Sequence, residues 1–416
     1  MKKIFCSFFL ILMLFLAGCL DLEKGQGGSD NTSGIQDGNV NPSDISWFLD
    51  QHDDLKRDYF VDQFGVDSHP SGWDRGAYLR AYIDMYEASH DIRILRSLNQ
   101  LLTIVADGND ILTGRIDERS GTILPGWGTR VYHYGPDGND RYSDMLTNAL
   151  YSYPLAAFAR IVKEDKNLQD EFGADADRYY QMVANLYEMH NPFVPDPDSP
   201  YDDGTSGVYF AFPDNYYDYD DQADYSGVEA PINWTVIIAE PLIELYRASV
   251  ADGNPNLEYK DTVIKVANYI WWNMHLETST DNDKYLTWYY WPAAPDSSIR
   301  MEDLTHGARL AEFVASLQRA GLQTQWTEER TEYLANTFTC GAVLSDTTFA
   351  NYIDGTGGVY KDDPATLYEW LELQKYSHHS SCNTIVYHIQ TAMENAGEDK
   401  KYNIAVFAKF VRFGQD

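Results

Sequence analysis

The chain has 416 residues and a net charge of −33, from 64 acidic against 31 basic side chains. With no basic run anywhere, that balance excludes a nucleic-acid-binding surface and predicts a very soluble acidic exterior, suited to a saline habitat. Any anionic substrate would need a local basic pocket.

In chain order, Lys2 and Lys3 precede an unbroken apolar run from Phe8 to Ala17. The run is too short to span a membrane comfortably and suits a signal-peptide core, with an uncleaved anchor helix as the alternative. It ends in Leu16-Ala17-Gly18-Cys19, which resembles a bacterial lipobox. That resemblance implies cleavage before Cys19, lipidation of its thiol and export. Two or three acyl chains hold a protein stably on a membrane, and Leu20 in place of Asp implies the outer membrane. Loss of Lys2 and Lys3 takes the charge from −33 to −35. Residues 20–45 are rich in Gly, Ser, Asn and Asp and cannot bury enough surface to order themselves, so a flexible tether is expected. Residues 46–416 are core-forming throughout and are expected as one domain. Cys340 and Cys382 remain for a compartment that permits disulfides, and their pairing depends on geometry.

Helical periodicity runs over Gly76–Ser89, Asp91–Ala106, Ser143–Lys163, Ala176–Met189, Trp234–Ser249, Tyr259–His275, Leu304–Ala320, Thr327–Thr337, Thr384–Ala396 and Tyr402–Phe413. No sustained alternating pattern argues for a sheet. The connections alternate in character: tight turns such as 106–110 and 251–256, then long loops at 121–142, 191–231 and 279–303, rich in Trp, Tyr, Gly and Asp. Long loops in a compact domain are usually functional. Antiparallel helix pairs in a ring, an all-α (α/α) toroid of six or seven pairs with aromatic loops on one rim, fit this alternation. A tetratricopeptide solenoid would need a 34-residue period, and none is present.

The loops hold much of an aromatic inventory of 31 Tyr and 10 Trp, and flat aromatic faces stack on pyranose rings. In "GWGTRVYHYGPDGNDRYSDMLTN", Trp127, Arg130, His133, Tyr134 and Arg141 are candidate substrate contacts, and Asn148 follows on the next helix. Asn amides and Arg guanidinium groups donate well to a carboxylate; a satisfied buried amide is the alternative for Asn148. Asp218, Asp220, Asp221 and Asp224 supply oxygens of the kind calcium wants, but lack the spacing of a helix-loop-helix site, and a solvated acidic loop is the simpler reading. Asn233, after Pro231, either caps its helix or offers its amide to substrate.

In "YLTWYYWPAAPDSSIRMEDLTHG", Tyr289, Tyr290, Arg300 and His306 are expected to converge, and Trp288 and Tyr289 are candidate substrate contacts. Asp303 or Thr305 can cap the helix that begins there, and acids suit its positive end. His306 is different: a helix N-terminus favours a neutral imidazole, the form a general base needs. Removal of a uronate C5 proton requires donors that neutralise the carboxylate, a base titrating near neutrality and an acid for the leaving O4. His306, Tyr290, Arg300, Asn233 and Asn148 can supply all of these without a metal. His378, His379 and His388 match no zinc spacing, and His379 is a candidate substrate contact.

"GWGTR", "DMLTNALYSYPLAAFAR", the "YYW" loop, "RMEDLTHG" and "FANYIDGTGG" before a Trp-bearing helix at 364–373 resemble the bacterial α/α-barrel polysaccharide lyases of family thirty-eight, which act on alginate or glucuronan. The resemblance covers most of the chain after Trp47. It implies metal-independent β-elimination by Asn, His, Arg and Tyr, which His306, Arg300, Tyr290 and either Asn148 or Asn233 match. Two rivals stand beside it. A glycoside hydrolase would pair Glu302 or Asp303 with Glu240 or Asp144, and a surface glycan-binding lipoprotein would bind without turnover.

Overall fold

Capping side chains mark where several of the helices begin. The computed structural model describes residues 40–60, 72–130, 140–196, 207–213, 217–218, 223–292, 300–379, 383–395 and 404–414. The expected leader, Cys19 and the expected tether up to residue 39 lie outside them, as does Cys382. Helix α1 (Pro42–Asp50) starts behind Asn41, whose Oδ1 accepts from the Ser43 N–H at 3.0 Å, with Pro42 in the first helical position. Residues 42–45, expected in the tether, are therefore helical. Then follow α2 (Gly72–Ser89), α3 (Ile92–Asp107), α4 (Met145–Glu164), α5 (Gln169–His190), α6 (Ile232–Ala251), α7 (Leu257–Trp272), α8 (Leu304–Arg319) and α9 (Glu328–Asn336). A 3₁₀ segment (Pro364–His379), α10 (Ile385–Asn395) and α11 (Ile404–Phe413) complete the order. Asp91, Asp144, Asn256, Asp303 and Thr327 each cap the helix behind them with a side-chain oxygen.

The chain is mostly helical, as expected. Its strands form four two-stranded antiparallel ribbons, the longest pairing His275–Thr278 with Lys284–Thr287. α7 stops at Trp272, and His275, expected at the helix end, opens that ribbon instead.

Packing follows a circuit. α2 packs on α4, α4 on α6, α6 on α8, α8 on the 3₁₀ segment, that segment on α11, and α11 back on α2. The remaining helices lie against members of the circuit: α3 on α2, α5 on α4, α7 on α6, and α9 and α10 on the 3₁₀ segment. Short links leave the C-terminal ends of the circuit segments. The long connections 108–144, 191–231, 273–303 and 337–363 lead into their N-terminal ends.

The circuit's helices bury charge as well as hydrocarbon. Arg80 forks onto Glu240 at 2.9 and 2.6 Å, and Ser316 donates to the same carboxylate. Arg160 reaches Glu244 and Glu87, Arg309 reaches Glu312 and Glu369, and Arg319 reaches Glu372. Lys409, 1% exposed, touches Asp84, Glu312 and Glu372. Each segment of the circuit contributes at least one charge. Burial opposes ionisation of Glu312, but Arg80, Lys409 and Arg309 overcome it and hold its carboxyl below the usual range. Among these charges lies a cavity of about 10 Å³, lined by Gly76, Arg80, Tyr153, Ile237 and Arg309 and roomy enough for a single water.

Lys409→Met would take one cation from each of three buried carboxylates, leaving Asp84 to Arg412, Glu312 to Arg80 and Arg309, and Glu372 to Arg319. Chemical denaturation at pH 7 should show a loss of roughly 3–5 kcal/mol. A depressed carboxyl contributes stability that is full above its unfolded pKa and is lost as pH falls. The loss in the variant should therefore shrink at pH 3.

Candidate functional site

The start of α8 is held from three sides. On one side, the strand preceding Trp291 pairs with the segment entering the helix: Tyr290 N–H donates to Arg300 C=O at 2.9 Å and Glu302 N–H to Trp288 C=O at 3.0 Å. On another, the loop after the Thr348–Phe349 strand closes over it: Ile353 N–H donates to Glu302 C=O at 3.1 Å and Leu304 N–H to Asn351 C=O at 2.9 Å. On the third, Trp370 Nε1 donates to Leu304 C=O at 2.9 Å. Gly307 permits this closure, because a Cβ there would meet Trp370, Ile353 and Trp288 at 3.2–3.3 Å.

On this platform the expected groups come together. Asp303 caps α8, its Oδ1 accepting the His306 backbone N–H at 2.9 Å, while its Oδ2 lies 2.6 Å from His306 Nδ1. The His306 side chain is 38% exposed. The Tyr290 ring lies 5.4 Å from the imidazole, tilted by 41°, and the exposed Arg300 guanidinium sits 4.7 Å over the same phenol. Burial, then the nearby Glu302 charge, pushes the Tyr290 phenol above its ordinary range, so it keeps its proton at neutral pH. Burial also raises the Glu302 carboxyl well above the usual range.

Asn233 follows Ile232, whose N–H donates to Tyr290 C=O at 3.2 Å. Its side chain is 1% exposed, and neither Oδ1 nor Nδ2 has a hydrogen-bond partner among the described residues. A buried amide without partners is costly. Pro231, not Asn233, occupies the cap position of α6, and no side chain caps there.

The structure buries some of the other candidates and leaves others at the surface. Trp127 is buried, stacks on Tyr151 and donates from Nε1 to Val105 C=O, so it is a core residue rather than a sugar platform. Asn148 accepts from the Trp127 N–H at 2.7 Å and donates to Ser143, taking the satisfied-amide role. Arg141 is buried on Asp110 at 2.6 Å. Arg130 pairs with Glu118. Trp288 is fully buried and donates to Glu302 Oε2 at 3.2 Å, acting behind the site. Tyr289 is exposed and meets His275 edge-on. His133, Tyr134, Asp220 and Asp221 lie outside the described residues, as do the side chains of Asp218, Asp224 and His379.

The hydrolase carboxylates are also engaged: Glu240 with Arg80 and Ser316, and Asp144 with the Thr147 N–H at 2.7 Å. Glu302, Asp303 and His306 each offer a metal-ligating atom within 4.8 Å of the others. Of these groups the two carboxylates already accept from protein donors, Glu302 from Trp288 and the Asp303 N–H, and Asp303 from His306. A cation would have to displace them.

Sequence reasoning missed Tyr360, whose hydroxyl lies 2.8 Å from Thr305 Oγ1, and Trp73, which stacks under Arg309 one turn beyond His306. Neither carries a local signal. No family model matches the chain, and no curated protein matches it in sequence. Among the described residues, no helix is long and apolar enough to cross a membrane.

The two asparagines should separate on substitution. Asn148→Ala leaves the Trp127 N–H unpaired in the interior, and thermal or chemical unfolding should show a loss of about 1–3 kcal/mol. Asn233→Ala removes an amide that has no partner among the described residues, and its loss should be smaller than that of Asn148→Ala.

Proposed function

We propose that the protein is a polysaccharide lyase that cleaves a uronic-acid-containing glycan of alginate or glucuronan type by metal-independent β-elimination. The meeting of His306, Tyr290 and Arg300 at one helix start carries this reading. His306 removes the C5 proton of the uronate. Arg300 and the Asn233 amide receive its carboxylate and stabilise the charge that develops on it. The C4–O4 bond breaks, and Tyr290, which keeps its proton, donates it to O4. The product carries a new C4–C5 double bond.

The packing circuit supports an (α/α) toroid of six pairs, and the long connections support a rim formed by the N-terminal ends of the inner helices. Those ends carry positive partial charge, which with Arg300 supplies locally what the acidic composition lacks. The lipobox resemblance supports export and a lipid anchor at Cys19, with the glycan and the outer membrane as partners.

His306 and Tyr290 stand side by side, which suits a base and an acid acting on one face of the sugar. In glucuronate and mannuronate the C5 hydrogen and O4 share a face; in guluronate they do not. Ultraviolet absorbance of the unsaturated product should therefore rise with glucuronan or polymannuronate, and roughly tenfold or more slowly with polyguluronate. EDTA should leave the rate unchanged. His306→Ala and Tyr290→Phe should each lower kcat by about 10²–10⁴-fold. A folded protein that yields no unsaturated product from any of the three polymers, or an undiminished His306→Ala variant, would overturn the reading.

A further inference from the structure

The Asp303 carboxylate is engaged through both of its oxygens. Capping needs only one, as at Asp144, where Oδ2 accepts the Thr147 N–H. At Asp303, Oδ1 performs the cap, and Oδ2 lies 2.6 Å from the imidazole Nδ1 three residues along. Burial pushes this carboxyl up, but the hydrogen bonds from His306 outweigh it and bring it below the usual range. It is therefore ionised at neutral pH, and an ionised carboxylate only accepts. In a neutral His306 the proton must then sit on Nδ1, which leaves the Nε2 lone pair free of it. The Tyr290 ring at 5.4 Å limits rotation of the imidazole from its other side.

We infer that Asp303 is a positioning residue that fixes the Nδ1–H tautomer and the orientation of His306, so that Nε2 is the base. Its effect on catalysis rests on the lyase reading; the tautomer does not. The assignment also explains how one short segment serves two ends: the group that starts the helix also aims the base.

Asp303→Asn separates the two duties. Asn caps a helix about as well as Asp, so Oδ1 can still receive the His306 N–H. The side-chain amide would then donate towards Nδ1, which moves the imidazole proton to Nε2 and removes the base. The test is ¹⁵N-edited NMR of the histidine rings, with His306→Ala assigning the signal, alongside kinetics on glucuronan and polymannuronate. The wild type should show His306 protonated on Nδ1 in its neutral form. Asp303→Asn should show it protonated on Nε2, with the melting temperature nearly kept, kcat lower by about 10²–10⁴-fold and KM changed far less. A wild-type Nε2–H tautomer, or a variant with unchanged tautomer and kcat, overturns the inference. If the wild type has the expected tautomer and no uronate polymer is cleaved, the lyase reading fails while the positioning of His306 by Asp303 stands.

Discussion

The buried ionic core is the interaction on which the rest of the structure depends. Arg80, Arg160, Arg309, Arg319, Lys409 and Arg412 meet Asp84, Glu87, Glu240, Glu244, Glu312, Glu369 and Glu372 where the circuit of segments closes on itself. Six cations face seven acids. Burial raises the Glu369 carboxyl, although Arg309 touches it directly. Glu372 is raised too, but Arg319 and Lys409 touch it directly. Isolated charges in such a setting would be very costly, and a pair that loses one partner costs more than a pair never formed. Each segment is thus held in one rotational setting, because turning it would strand a charge.

That constraint reaches the candidate site through α8. Arg309, Glu312, Ser316 and Arg319 all lie on the stripe of α8 that faces the ionic core. Their partners set the rotation of the helix, and His306 sits one turn before Arg309. The imidazole's direction is therefore decided twice, by the core below it and by Asp303 beside it. The tryptophans packed on Gly307 fix the remaining freedom of the helix start. Rigidity of this kind is what a base needs if it is to meet a weakly acidic carbon.

How much of this the sequence displayed depends on how locally each feature is encoded. The helices were legible because their apolar spacing and caps are local, and the observed bounds of α3 and α8 lie within a residue of the expected ones. His306, Arg300 and Tyr290 were legible because seventeen residues of chain contain them and a helix start orders them. Asp303 was visible as a cap, but its second oxygen acquires meaning only from the imidazole's rotamer. Trp127, Asn148 and Arg141 misled because their partners lie elsewhere: Val105 and Tyr151 bury the indole, and Asp110 takes the guanidinium. A charged residue in a Gly-rich loop looks the same whether it awaits a ligand or a distant carboxylate. The ionic core was invisible for a similar reason. Arg80, Asp84 and Glu87 follow helical spacing, and such a stripe on sequence alone is a solvated face. Only closure of the circuit turns it inward.

The most direct test of the account is a crystal structure of the His306→Ala protein with a glucuronan or mannuronan tetrasaccharide. The account predicts one sugar with its C5 hydrogen facing the space left by the imidazole, its carboxylate on Asn233 and Arg300, and its glycosidic O4 within hydrogen-bond reach of Tyr290. A well-ordered oligosaccharide bound elsewhere, or one whose C5 faces away from residue 306, would contradict it.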